Sequence, residues 1–149
     1  MASRVGAELS RIGKSGAARL KTNMATFNAE VTRFAEKLLP RQLVVFHKKL
    51  VLQAMKGIVT KTPVDTGRAR GNWQVTVGAP AVGIVDGIDK QIKTGRAIAM
   101  RALAGLRPFT IVWITNNLPY IVSLEGGWSD QAPIGMVAVT IAEMQTMFQ

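Results

Sequence analysis

Arg41 to Val77 reads RQLVVFHKKLVLQAMKGIVTKTPVDTGRARGNWQVTV, and the order of its parts decides the fold. In the first part Leu43, Phe46, His47, Leu50, Ala54 and Ile58 recur at helical spacing, and Val44, Val51 and Met55 widen the same face. That periodicity predicts a long amphipathic helix over 41–61. Val45, Leu52 and Val59 repeat every seven residues on the opposite side, among Arg41, Lys48, Lys49 and Lys56. A second stripe implies contact on both sides, through another element or another subunit. Thr62-Pro63 ends the helix, because proline carries no N–H and disfavours helical geometry before it. Trp73, Val75 and Val77 then alternate with Asn72, Gln74 and Thr76, which predicts a half-buried strand.

Working outward, Phe27, Val31, Phe34 and Leu38 form a helical stripe, with Pro40 expected to kink that helix or begin the next. Residues 1–22 carry Arg4, Arg11, Lys14, Arg19 and Lys21, with glycines and alanines diluting any apolar face. They read as a basic flexible arm, or as a helix that orders only against a partner. Downstream, Asp86 and Asp89 resemble a helix start, followed by an apolar face of Ile88, Ile92, Gly95, Ala99, Leu103 and Leu106. PFTIVWITNN, 108–117, has apolar residues on both faces and predicts a central strand covered on two sides, with Trp113 in the core. IVSLEGG predicts a short helical turn closed by glycines, and Val137, Ile141, Met144 and Phe148 favour a helix over a strand. So few strands need covering. The expected class is α+β: a small, mostly antiparallel sheet packed against a long helix, with 1–22 as the arm and 23–149 as one domain.

The chain has 149 residues, no cysteine and one histidine, His47, which excludes disulfides, thiolate chemistry and any site built on two histidines. His47 reads as a packed residue of the apolar helical face. No apolar run approaches the length of a membrane span, and the N-terminus lacks the apolar core of a signal peptide; a soluble protein made in the cytosol is expected. The net charge of +10 is uneven: residues 1–70 hold 14 Lys/Arg against 4 Asp/Glu, and residues 71–149 hold 5 against 5. Such asymmetry fits a polyanionic partner as well as it fits a solvated surface.

The corner TPVDTGRARGNW is not a phosphate loop, since Gly67 and Gly71 are four apart, no lysine follows and the order is helix to strand. Asp65 suits a turn after Pro63, and Arg68 and Arg70 suit either an exposed corner or an anion contact. Ser123 and Ser129 lack a nucleophile-elbow context, and Asp130 and Glu125 have no histidine near them in sequence. No acid–base or nucleophile constellation is legible, so neither an enzyme nor a cofactor is expected. Trp73 suits core or interface; Trp128, beside Gly126 and Gly127, suits a contact residue or a lid on the core.

Two segments together resemble a family. TPVDTGRARGNW resembles the first signature of small tail-completion and neck (head–tail joining) proteins of long-tailed phages, the minor tail protein Z-like group. NNLPYIVSLEGGWSDQAPIGMV resembles its second signature, through Asn116 or Asn117, Tyr120, Leu124, Glu125, Gly127, Ser129, Gln131, Ala132, Pro133, Gly135, Met136 and Val137. The resemblance covers roughly residues 40–149. It implies a structural virion protein, without catalytic activity, assembled in the host cytoplasm into a ring of copies, commonly six, around the DNA channel at the head–tail junction. Implied partners are the head–tail connector, the tail tube or tail terminator, and packaged DNA. Pro63, Asp65, Thr66, Gly67, Arg68, Arg70, Trp73, Tyr120, Glu125, Gly127, Trp128, Ser129, Gln131, Pro133 and Gly135 are then fold-signature or subunit-interface residues, with Glu125 a candidate partner for Arg68 or Arg70. Arg4, Arg11, Lys14, Arg19, Lys21, Lys48, Lys49 and Lys56 are candidate contacts for DNA or an acidic partner. The alternative reading is a basic DNA-binding accessory protein outside the virion, although no helix-turn-helix or zinc-finger pattern is present.

Overall fold

The computed structural model describes residues 2–92 and 94–147. Side chains at 2–10, 12, 13, 17, 20 and 94 are not described; Arg4 falls among them, and Phe148 lies outside the described residues. The chain divides into two compact units, Met1–Gln42 and Leu43–Gln149.

The first unit is helical. Helix α1 spans Ala2–Arg33, a π-helical segment follows at Phe34–Leu38, and α2 begins at Leu39. Of the stretch read as a flexible arm, 1–22, the described residues 2–22 lie within α1. Pro40 neither ends the helix nor starts a separate one. Instead the register widens just ahead of it, with the Leu39 N–H donating to the Phe34 carbonyl, five residues back. Proline cannot donate to the carbonyl four residues earlier and its ring crowds that turn, and a π-bulge accommodates both.

In the second unit, α2 runs on to Lys61 and α3 spans Arg68–Gly71. Strand β1 (Gln74–Val77) pairs antiparallel with β2 (Val112–Thr115), Val75 opposite Ile114 and Thr76 opposite Trp113. Between them lies α4 (Thr94–Ala102); α5 (Ile121–Glu125) and α6 (Val137–Thr146) follow β2. The fold is α+β, a two-stranded antiparallel sheet combined with helices. Its core joins Val51, Met55, Ile58 and Val59 of α2 to Trp73 and Val75, Ala99 and Leu103, and Ala132 and Met136. Burying side chains of this size contributes about 1.5–3 kcal/mol each for the larger ones, and α2 supplies the shared wall.

Several expectations are corrected. Val59, assigned to the outer stripe of the long helix, is buried, whereas Phe46, assigned to the inner face, is half exposed. The helix expected to start at Asp86 or Asp89 starts at Thr94. The Asp89 carboxylate instead accepts the Gln91 N–H at 3.0 Å, closing a turn. Strand β2 is not covered on two sides. With only one face of the pair packed on the core, alternation puts Trp113 outside, 39% exposed, its indole N–H donating to the Gly78 carbonyl. Phe109 and Ile111, on the approach to β2, are exposed as well.

Two glycines carry close approaches. A Cβ on Gly71 would lie 2.4 Å from the Gly87 carbonyl carbon, so the corner and the following loop touch backbone to backbone. A Cβ on Gly57 would lie 2.5 Å from Thr140 Cγ2, which lets α6 pack directly on α2. The exposed Lys61–Glu143 pair, 2.6 Å apart, bridges the same two helices.

Candidate docking corner

The corner after α2 is built inward from Thr62. Its hydroxyl donates to the Ile58 carbonyl at 2.7 Å and accepts the Trp73 indole N–H at 2.8 Å, both in the core. Trp73 therefore belongs to the fold, its polar tip satisfied by the residue that ends the helix. Pro63 is buried beside it. Gly67 has φ +84, a left-handed conformation that glycine adopts without penalty, and its carbonyl accepts from both Gly71 and Asp89. The Arg68 N–H donates to Thr66 Oγ1 at 3.3 Å, while Asp65 and the Arg68 side chain face solvent.

Arg70 turns inward. Its guanidinium donates to the carbonyls of Thr62 at 3.0 Å, Lys90 at 3.4 Å and Thr60 at 3.5 Å. It braces the end of α2 against the loop before α4. Asn72, which sequence reasoning placed only as a polar strand position, is fully buried. Its amide donates to the Arg68 carbonyl at 2.9 Å and to the Gly87 carbonyl at 3.5 Å, and accepts the Val85 N–H at 3.0 Å. Asparagine offers both donor and acceptor in one planar group. Its position immediately before an alternating strand, next to glycine, was the available signal.

The second segment is organised by Glu125. One carboxylate oxygen accepts the N–H groups of Met136 and Val137, and the other that of Ala138, each at 2.9 Å. These are orphan donors at the start of α6, and a carboxylate there also meets the positive end of the helix dipole. Burial acts to raise the Glu125 pKa, but the N–H groups of Val137, Ala138 and Met136 together outweigh it and hold the carboxyl below the usual range. Neither Arg68 nor Arg70 is its partner within the chain. Gly127 and Gly135, at φ +86 and +83, fold the loop so tightly that a Cβ would strike the Pro133 and Glu125 carbonyls respectively. The Gln131 N–H donates to Ser129 Oγ at 3.3 Å.

The two segments meet. Gln131 accepts the Val64 N–H through Oε1 at 2.9 Å and donates to the Val64 carbonyl through Nε2 at 3.2 Å. The Asn116 amide adds a donation to the Ala69 carbonyl at 2.8 Å. Together they enclose a cleft of about 220 Å³ whose walls include Asp65, Thr66, Arg68, Tyr120, Ser129 and Gln131. Tyr120 is at the surface, and Trp128 is 75% exposed, so the lid reading of that tryptophan does not hold. Val122 and Ile134, from α5 and from the same loop, are exposed too. The cleft is small and offers no paired acid and base; among the described residues no group of three or more His, Cys, Asp or Glu is placed to hold a metal.

The basic candidates lie elsewhere. Arg11, Lys14, Arg19 and Lys21 are exposed on α1; Lys49 and Lys56 are exposed on α2, and Lys48 is half-buried there. His47 is half-buried on α2. Among the described residues no helix is long and apolar enough to cross a membrane. Comparison of the chain with protein-family models, curated proteins and solved structures finds no match, so the residues themselves carry the functional argument.

Proposed function

We propose that this chain is a structural subunit of a tailed phage particle, a tail-completion or neck component that assembles as a ring at the head–tail junction. One observation carries the reading. The two segments that resemble the family's signatures, 67 residues apart at Val64 and Gln131, are bonded to each other as one corner, with Trp128 held outward beside it. Rigid turns and an exposed tryptophan at a polar cleft suit a subunit contact better than a reaction. In a ring one patch meets a different patch on the next copy, and rotation closes the assembly. Neighbours would be the connector above and the tail tube or terminator below, with DNA in the channel.

Electron microscopy of a lysate lacking the protein tests this. Filled heads and complete tails left unjoined are expected; normally joined particles would overturn the proposal.

The exposed Arg11, Lys14, Arg19 and Lys21 favour a second reading, a DNA-binding accessory protein that acts outside the particle. It requires tight binding of the isolated protein to duplex DNA that weakens steeply with salt, each phosphate contact adding about −0.9 to the log–log slope. Assembly of the protein alone into a ring with little salt dependence favours the neck reading.

A further inference from the structure

Two apolar surfaces remain outside the corner. The first is a stripe on α1 and the π-helical segment. Met24, Phe27, Val31, Phe34 and Leu38 step by three and four residues and are each between 43% and 59% exposed. The second is a groove of about 870 Å³ in the other unit, alongside α2 and α4. Phe46, Leu52, Ile92 and Met147 supply its accessible apolar surface over a floor of buried Met55 and Val59, and Lys49, Lys56 and Arg96 line it with them. Ile92 is held at φ +59, a conformation disfavoured for a β-branched residue. On α2 the groove face is marked by Phe46, Lys49, Gln53, Lys56 and Thr60, again stepping by three and four. Such a face accepts a second helix laid alongside it.

We propose that the Met24–Leu38 stripe of one copy occupies the α2–α4 groove of another. The spans match: Met24 to Leu38 and Phe46 to Thr60 are both fourteen residue steps, about 21 Å of helix. The charges are compatible as well, a neutral stripe bearing two carboxylates against a basic groove. Among the described residues every charged side chain lining the groove is basic. Over the stripe itself, Met24–Leu38, the basic excess of the first forty residues lapses, with Glu30 and Glu36 balancing Arg33 and Lys37. Glu30 stands three residues after Phe27 and four before Phe34, so it borders the stripe and reaches the groove's lysine side. An amphipathic helix in an apolar groove is read through such i, i+3, i+4, i+7 anchors. The contact is heterologous, stripe to groove. It therefore propagates from copy to copy, and it deepens the ring proposal, resting on the premise that copies assemble with one another.

The chain has no cysteine, which makes site-directed cross-linking clean. The midpoints of the two spans are Val31 and Gln53, so Asn28 lies about one helical turn from Gln53 of the other copy whichever way the helix runs. Full-length Asn28→Cys and Gln53→Cys, both at exposed positions, are treated with a short bismaleimide singly and mixed. A covalent dimer from the mixture, and from neither variant alone, is expected. Phe27→Asp combined with Phe34→Asp is expected to weaken self-association at least tenfold in sedimentation velocity. A dimer formed by Asn28→Cys alone shows stripe against stripe and overturns the docking. An assembled protein that gives no mixed dimer overturns the docking and leaves the ring reading standing. A protein that stays monomeric at every concentration overturns both.

Discussion

Replacing Glu125 by alanine removes the acceptor for three backbone N–H groups at the start of α6, those of Met136, Val137 and Ala138. Ala138 is exposed, so water takes over its N–H at small cost. Met136 is fully buried and Val137 half-buried, and their donors lose a charged partner that contributes about 1.5–3 kcal/mol per bond before solvent is discounted. The carboxylate itself is partly hydrated, which halves that figure, and the loss of its interaction with the helix dipole adds about 0.5 kcal/mol. The expected destabilisation at pH 7 is about 2–3 kcal/mol, at or just above the top of the range for capping residues. Glu125→Gln keeps one acceptor oxygen but turns an NH₂ group towards a donor, and should cost about 1–2 kcal/mol. The sign of the pH dependence follows from the lowered pKa. The folded state releases the Glu125 proton more readily than the unfolded chain does. The stabilisation is therefore complete above the unfolded value of about 4.3 and is lost as pH falls through the lower folded value. Urea melts of wild type and Glu125→Gln at pH 7 and at pH 3 make the check. The gap between the two curves should narrow at pH 3. A gap under 0.5 kcal/mol at pH 7, or one that does not narrow in acid, would refute the assignment of Glu125 as the α6 cap.

Other variants probe the corner and the core separately. Asn72→Asp sets a carboxylate against the carbonyls of Arg68 and Gly87, and should lower stability by about 3 kcal/mol or more in chemical denaturation. Trp73→Phe breaks the bond to Thr62 Oγ1 and removes three ring atoms from a buried site; a loss of about 2–4 kcal/mol is expected, as a fall in the urea midpoint at unchanged slope. Gly57→Ala drives a methyl into Thr140; a cost of about 1–3 kcal/mol should outweigh the gain in helix propensity, and Thr140→Ala should recover part of it in a double-mutant cycle. Gln131→Leu unties Val64, and the Val64 amide should exchange with deuterium at least tenfold faster while the centre of α2 is unaffected.

The long helix, the strand after the corner and the two short helices near the C-terminus were legible because each is written in local periodicity. Which side of each element faces the core was harder to read. Phe46 and Trp113 are large and apolar, and a rule of burial by type puts them inside. The structure leaves them partly exposed because two strands offer only one covered face and because Val59, not Phe46, meets α4 at Gly95. The π-helical segment was not legible beyond Pro40 itself, since its cause is a missing donor and its form depends on how the helix recovers. At the corner the glycines, Pro63 and the motif residues stood out. What joins them did not. Asn72, Glu125 and Gln131 act through backbone groups that carry no side-chain signature, and opposite charge pointed from Glu125 to Arg68 or Arg70 when the true partners were helix N–H groups.

The link between Gln131 and Val64 has a consequence for how such a chain can vary. A primary amide presents one acceptor and one donor side by side, as a peptide unit does, so Gln131 stands in for a missing neighbouring strand at a single residue. Glutamate would set a second oxygen against the Val64 carbonyl, and asparagine is one methylene short. The pairing requires nothing of the intervening chain except that it bring the two ends back to this point. Outward-facing positions in the stretch between them are free to change, whereas Val85, Gly87 and Lys90 are bonded to the corner and Ala99 and Leu103 are packed in the core, and these hold the length of the chain around them.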